Sequence, residues 1–456
     1  MSDSRLFGTD GVRGRFGEPP LDHATVSALA VHLAATLRER ADGKAPKVVL
    51  GGDTRESTPE ICRWLAAGLM AAGAGGIEVR YAGVIPTPGV AFLTRELGAA
   101  AGVVVSASHN PYPDNGIKLI DPQGMKWSDE DELALENHIK AYPAGEIPNL
   151  PAGRPEVEPE LRELYLRHLA STLPGERPLE GLRVVLDAGN GAASTYAGEL
   201  FERLGAGVVL LHAAPDGRNV NEGCGSTAPG EMAARVAAEK ADFGAAFDGD
   251  ADRCILADEK GEVRDGDAIL YLWATCLHRS GRLDPPKIVA TSMSNLGLER
   301  ALAAAGIGIV RCAVGDRYVV EAMRKEGILL GGEQSGHIVQ SHLASTGDGL
   351  LTALQIAFVR HQDGRPLSEM LAPFRRYPQV LLNVRVQRKV SFEKLPAVTA
   401  AARSVEERLG DDGRLVLRYS GTEPLARIMI EGPDQGMIDG LAAEIATAIR
   451  GELGAG

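Results

Sequence analysis

Three carboxylates stand at alternate positions in Asp248-Gly249-Asp250-Ala251-Asp252-Arg253. On an extended strand rising about 3.3 Å per residue they would lie roughly 6.6 Å apart. Even opposite ligands of an octahedral Mg²⁺ are separated by only about 4.2 Å. The chain must therefore curl if all three are to hold one ion, and Gly249 permits the curl. An all-oxygen set selects Mg²⁺ or a similar hard cation over zinc. An EF-hand also opens with alternating Asp, and Glu259 falls at its twelfth place. Its sixth place needs Gly, however, and the chain has Arg253 there, after a strand rather than a helix. The plainer alternative is a solvated acidic turn.

A second stretch carries a nucleophile. Val103-Val104-Val105 reads as a buried strand that empties into Ser106-Ala107-Ser108-His109-Asn110-Pro111, a hydroxyl-rich turn. In open α/β sheets the carboxyl ends of strands are where ligands bind. Ser108 beside His109 raises a serine hydrolase as a rival, yet no Gly-x-Ser-x-Gly elbow is present and the aspartates would be idle. Farther on, Gly332-Glu333-Gln334-Ser335-Gly336-His337 supplies hydrogen-bonding groups suited to sugar hydroxyls. Arg418-Tyr419-Ser420-Gly421-Thr422-Glu423-Pro424, with Arg427 after it, has the inventory for a phosphate dianion. Near the start, Phe7-Gly8-Thr9-Asp10-Gly11-Val12-Arg13-Gly14-Arg15 reads as a flexible, partly cationic loop able to approach a phosphate. Each of these taken alone is also compatible with an ordinary turn.

The elements that must position these groups alternate. Val26, Leu29, Leu33 and Leu37 recur at helical spacing, 48–50 is a short strand, and Thr58-Pro59 opens the next helix as cap and first turn. A strand at 77–81, a helix at 88–97 and a strand at 101–105 follow, giving βαβ units and a largely parallel sheet. The first domain closes near the Pro- and Gly-rich passage 142–155. The same grammar returns with strands at 183–186, 208–211 and 243–247, and again with strands at 287–290 and 308–311 around helices at 267–277 and 296–305. Residues 380–386, 415–418 and 427–431 alternate apolar and polar, as an antiparallel sheet with one wet face does. The expected architecture is three similar mixed or parallel α/β domains, 1–152, 153–254 and 255–368, plus a smaller C-terminal α+β domain, 369–456.

Composition bounds the partners. The chain has 456 residues, 44% hydrophobic and 24% charged, with a net charge of −13, which argues against nucleic acid or an acidic membrane surface. Anionic ligands must then be gathered by local Arg and Lys. No signal peptide or membrane-spanning run is evident. Five scattered cysteines, Cys62, Cys224, Cys254, Cys276 and Cys312, form neither a disulfide framework nor a Cys-x-x-Cys zinc site and fit a reducing cytoplasm.

Taken together, the four motifs, in this order and spacing, resemble the α-D-phosphohexomutase family. The resemblance covers nearly the whole chain, with further matches at Asp114-Asn115-Gly116-Ile117-Lys118, Gly315-Asp316-Arg317-Tyr318-Val319 and Thr346-Gly347-Asp348-Gly349. The opening Phe7 to Gly14 with Ser106 to Pro111 looks most like the branch acting on glucosamine phosphates, and Gln334 adds weak support for an amino sugar. The resemblance implies a phosphoryl-carrying Ser108, one Mg²⁺ on Asp248, Asp250 and Asp252 together with that phosphate, and sugar hydroxyls on Glu333 and Ser335. It implies that Arg418, Ser420, Gly421, Thr422 and Arg427 hold the phosphate not being transferred. Arg13, Lys118 and His337 align with cationic or proton-transferring positions. A hexose 1,6-bisphosphate activator, a monomer or homodimer, and a central cleft where all four domains meet are the remaining expectations.

Overall fold

The computed structural model describes residues 5–8, 10–41, 45–71, 77–141, 155–420 and 424–454. The passage 142–154, where the first domain was expected to close, lies outside them. Two compact units divide the chain: Met1–Met293 with Ile307–Ala372, and Ser294–Gly306 with Pro373–Gly456.

The first unit contains three sheets. Strands β1 (Val12–Arg15), β2 (Lys47–Gly52), β3 (Glu78–Val84), β4 (Ala101–Val105) and β5 (Asp114–Ile120) lie in the order β1-β5-β4-β2-β3. Strands β6 (Arg183–Asp187), β7 (Gly207–Leu211), β8 (Phe243–Phe247), β9 (Cys254–Asp258) and β10 (Val263–Arg264) lie in the order β10-β9-β8-β6-β7. Strands β11 (Lys287–Thr291), β12 (Gly308–Cys312), β13 (Leu330–Gly332) and β14 (Ile338–Gln340) form the third, β12-β11-β13-β14. Read from the other edge, the third sheet repeats the arrangement of the first two. Counting from β2 in the first sheet, β6 in the second and β11 in the third, the first strand lies parallel between the second and third, and the fourth runs antiparallel beside the third. The repeat that residue identities leave unproven is thus evident in strand order and direction.

The sheets are mixed rather than largely parallel, and the reversal falls at the motifs. A parallel pair needs a long crossover, whereas antiparallel neighbours can be joined by a short loop. The serine loop joins β4 to β5, the aspartate turn joins β8 to β9, and the glutamate loop joins β13 to β14. Each reactive loop is therefore short and anchored at both ends. Residues 12–15, read from sequence as loop, pair with Asp114–Ile117 as an edge strand. The helix at Thr58–Met70 has Ser57 rather than Thr58 at its N-cap, because Thr58 Oγ1 is spent donating to Asp53 Oδ1 at 3.0 Å.

All five residues of β4 are buried. Val103 and Val105 pack with Val48 and Leu50 of β2 and with Leu29, Leu33, Ile61 and Leu65 of the helices His23–Glu39 and Thr58–Met70. At about 1.5–3 kcal/mol for each fully buried large aliphatic side chain, this core fixes where β4 ends and hence where Ser106 begins.

In the second unit, strands β15 (Gln379–Arg385), β16 (Arg414–Tyr419) and β17 (Leu425–Glu431) form an antiparallel sheet ordered β15-β17-β16. Val384, Ala426, Ile428 and Ile430 pack against Val398 and Val405 of helix Pro396–Leu409 and Leu441, Ile445 and Ile449 of helix Gln435–Leu453. The helix Leu296–Ala304 belongs to this unit, and its N-cap Asn295 donates from Nδ2 to Glu431 Oε1 at 3.0 Å.

Candidate active site

Ser108 is 2% exposed and takes a left-handed φ of 51°, a conformation non-glycine residues seldom adopt. The loop is held in it from several sides. Ser108 N donates to Ser106 Oγ at 2.9 Å, and Ser106 Oγ donates to Asp53 Oδ2 at 2.6 Å. Arg55, paired with Asp53 at 2.8 Å with both side chains fully buried, donates to the carbonyls of Ser108, Asn110, Pro111 and Asp114 at 2.7–3.0 Å. Asn221 Nδ2 adds a bond to Ser108 O at 2.9 Å. The turned backbone also brings His109 Nδ1 to 3.4 Å from Ser108 Oγ, although sequence neighbours seldom meet in this way. The serine's proton goes elsewhere: Oγ donates to Asp248 Oδ2 at 2.5 Å.

The aspartate turn curls as its spacing requires, but by another residue. Ala251 takes the left-handed conformation, φ 54°. Gly249 is needed for close approach instead, since a Cβ there would stand 2.6 Å from Ser108 O. The three buried carboxylates bring oxygens within 4.8 Å of one another. Asp250 Oδ2 accepts from Thr87 Oγ1 at 2.7 Å and Lys118 Nζ at 2.9 Å, and Asp252 Oδ2 lies 3.4 Å from Lys118 Nζ. The other oxygens, Asp250 Oδ1 and Asp252 Oδ1, are buried with no hydrogen-bond partner among the described residues. Two orphaned carboxylate oxygens beside a serine hydroxyl are a donor set that fits a hard divalent cation.

Electrostatics points the same way. Burial, then Asp252 and Asp250, pushes Asp248 well above the usual carboxylate range. Burial also works against ionising Asp252, but Lys118 and then His337 outweigh it and hold Asp252 well below that range. Lys118 is desolvated yet raised, because Asp10, Asp250 and Asp252 surround it. For His337, burial opposes the charge and Asp252 favours it, raising the ring to about 9. Its Nδ1 lies 3.7 Å from Asp252 Oδ2, while Gly347 N–H donates to Nε2 at 3.0 Å. In the neutral ring that amide makes Nε2 the acceptor and sets the Nδ1–H tautomer, so it opposes the second proton that Asp252 favours. His109 is lowered by burial, then by Arg253 and Arg13.

These groups open onto a cavity of about 560 Å³ lined by His109, Asp252, Arg253, Glu333 and His337, among others. Glu333 Oε1 accepts from Gly315 N at 3.0 Å. Ser335 Oγ is buried without a hydrogen-bond partner among the described residues. Gln334 is turned to Asp267, donating from Nε2 at 3.2 Å. Arg13 is paired with Asp10. Sequence reasoning missed Asp53, Arg55, Thr87 and Asn221. The signal for the first two was a short one, Asp53-Thr54-Arg55 directly after a buried strand.

In the second unit, Arg418 and Arg427 face each other across β16 and β17. Burial, then Arg427, lowers Arg418. Like charges directly opposed across strands are unfavourable, and an anion between them would relieve the repulsion. Arg427 lies 3.5 Å from Ser420 Oγ, and Lys389 Nζ donates to Ser420 O at 2.6 Å. Gly421 and Thr422 lie outside the described residues.

A serine hydrogen-bonded to a triple-aspartate turn, the two carried on successive members of three repeated α/β sheets, marks the class as a phosphosugar mutase. The chain belongs to the phosphoglucomutase/phosphomannomutase family: its alpha/beta/alpha domains I, II and III match residues 4–145, 163–261 and 265–377, and its C-terminal domain matches 381–448. Among relatives, the phosphoglucosamine mutases of Solibacter usitatus and Symbiobacterium thermophilum are 46% and 47% identical, each over 98% of this chain and 99% of their own. A phosphoglucomutase/phosphomannomutase family protein of Burkholderia thailandensis shares the fold at TM-score 0.79 and 23% identity, over 98% of this chain and 97% of that one. The N-acetylphosphoglucosamine mutase of Aspergillus fumigatus, solved with GlcNAc-6P and magnesium, shares it at TM-score 0.65 and 20% identity, over 98% and 96%. No helix among the described residues is long and apolar enough to cross a membrane.

Proposed function

We propose that this mutase interconverts glucosamine 6-phosphate and glucosamine 1-phosphate, through a phosphoserine at Ser108 and a bisphosphorylated sugar, and so feeds UDP-N-acetylglucosamine and cell-wall precursor synthesis. The observation that carries the reading is Ser108 Oγ held 2.5 Å from Asp248 at the edge of the aspartate cluster. The names of the full-length relatives support the amino sugar. The four-domain division at 152, 254 and 368, and a cytoplasmic monomer or homodimer, go with it.

The Ser108 Oγ–P bond breaks as a sugar hydroxyl takes the phosphoryl group, and the proton lost from that hydroxyl is passed to Ser108 Oγ. Reversal with the other phosphate restores phosphoserine and releases the isomer. A divalent cation, Mg²⁺ by its all-oxygen site, neutralises charge on the transferring group when bound to Asp248, Asp250 and Asp252. Lys118, raised and buried, stays an ammonium and serves as a cation or acid. His109, lowered and neutral, is the ring competent to accept a proton near Oγ, with His337 oriented through Asp252. Arg13 adds positive charge, Glu333 and Ser335 take sugar hydroxyls, and Arg418, Ser420, Gly421, Thr422 and Arg427 take a phosphate dianion. Hexose 1,6-bisphosphate restores a serine that has lost its phosphate by hydrolysis.

The test is a coupled assay with glucosamine 6-phosphate, primed with a trace of hexose bisphosphate, comparing wild type with Ser108→Ala. Turnover by the alanine variant contradicts the reading. Assays beside glucose and mannose phosphates decide against the alternative, a phosphoglucomutase or phosphomannomutase of the same family.

A further inference from the structure

We propose that Asp187, His212 and Cys224, backed by Glu231, form a second cation site, one for a borderline-soft divalent ion such as Zn²⁺. Asp187 is the last residue of β6 and His212 the first past β7, and the two strands are parallel with Asp187 opposite Leu211. Both side chains therefore leave the sheet at the same edge. The loop after β7 returns Cys224 to that point, where Gly225 N donates to Asp187 Oδ2 at 3.0 Å. One donor atom from each of the three lies within 4.8 Å of the others. A filled tetrahedral zinc site has donor–donor edges of roughly 3.3–3.8 Å, so about an ångström of contraction suffices.

The imidazole supplies the independent observation. His212 Nε2 lies 3.3 Å from Glu231 Oε2, a partner for the ring proton in the tautomer that would ligate a cation through Nδ1. Nδ1 then turns a lone pair inward. That atom is buried without a hydrogen bond among the described residues, yet stands 3.0 Å from Asp187 Oδ1. Asp187 Oδ1, which also accepts from Gly189 N at 2.9 Å, faces that ring nitrogen with no hydrogen bond between them, and a cation would bridge the two. A carboxylate behind a ligating histidine is the usual outer support of such sites.

The sulfur fits as the third ligand. Asn190 Nδ2 donates to Cys224 Sγ at 3.9 Å, which favours a thiolate. Binding exchanges a proton for the metal: the S–H bond breaks, an S–metal bond forms, and H⁺ is released to solvent. The mixed S, N, O set separates this site from the all-oxygen aspartate turn, where hard ions bind. The ion would pin the loop bearing Asn221, whose amide holds Ser108 O.

The experiment is a Co²⁺ titration of the full chain in saturating Mg²⁺, followed by near-ultraviolet absorption. A thiolate-to-cobalt charge-transfer band saturating at one equivalent, reversed by Zn²⁺, is expected, because the aspartate triad has no sulfur with which to produce one. Cys224→Ser should abolish the band. His212→Asn, which tolerates the left-handed φ of 45°, should weaken Co²⁺ binding about tenfold or more; circular dichroism checks that each variant is folded. Absence of the band in excess Co²⁺, its survival in folded Cys224→Ser, or unchanged affinity in His212→Asn overturns the proposal.

Discussion

The serine loop and the Arg418–Arg427 hairpin both handle phosphate in the proposed reaction, but they are built in opposite ways. Ser108 sits in a strained backbone conformation fixed by the buried Asp53–Arg55 pair, four carbonyl bonds from one guanidinium, and Asn221. The hairpin instead sets two arginines face to face on half-buried strand positions. The contrast teaches a division of labour. A group that repeatedly gains and loses a phosphoryl must be positioned before substrate arrives. A clasp that accepts either end of a small molecule relies instead on charge and charge-assisted bonds, which tolerate a less exact placement.

The largest expected effect is at the serine itself: Ser108→Ala should lower kcat in the coupled assay by about 10³-fold or more. Chelation with EDTA should reduce turnover by about 10²-fold or more, with Mg²⁺ restoring it, since charge neutralisation on the transferring group is lost. Arg55→Ala tests whether the rigid side is rigid for the stated reason. It leaves Asp53 buried and unpaired, so urea unfolding should show a loss of about 3–5 kcal/mol, and kcat should fall. Arg55→Lys should not rescue it, because three ammonium donors cannot replace a guanidinium that bonds a carboxylate and four carbonyls. An unchanged unfolding midpoint in Arg55→Ala would erase the contrast.

On the other side, Arg427→Ala should raise KM about 10- to 100-fold, the equivalent of losing a charge-assisted bond of about 1.5–3 kcal/mol. Its melting temperature should hold or rise, because a like-charge pair is relieved. The smallest effect is one of pH. Burial raises Asp348 to about 6, so the folded chain holds a proton that the unfolded chain has released between about pH 4 and 6. Stability should therefore rise as pH falls from 7 to 5, by roughly 1 kcal/mol from this group. Asp348→Asn should flatten that slope in calorimetry.

The sequence made β4 legible because an unbroken β-branched run has few other uses, and the serines follow directly from where it ends. The aspartate spacing likewise required a turn. The residue making it was not legible, since Gly249 is the obvious candidate while Ala251 actually takes the left-handed conformation. The antiparallel strands β5, β9 and β14 were hidden for a related reason. Their connecting loops carry the polar residues of the site and are longer than the two-residue turns that advertise hairpins, and the one Asp-Gly pair, Asp248-Gly249, reads first as part of an acidic turn. Arg55 was hidden because its partners are backbone carbonyls, which sequence does not distinguish. The closeness of His109 to Oγ depends on a single dihedral angle at Ser108.

The most direct test of the account is to locate the phosphoryl group. After incubation with hexose 1,6-bisphosphate and Mg²⁺, peptide mass spectrometry should find one phosphate per chain on Ser108, removed when excess sugar monophosphate is added. A phosphate on another residue, or an unmodified Ser108 in a chain that turns substrate over, would contradict it.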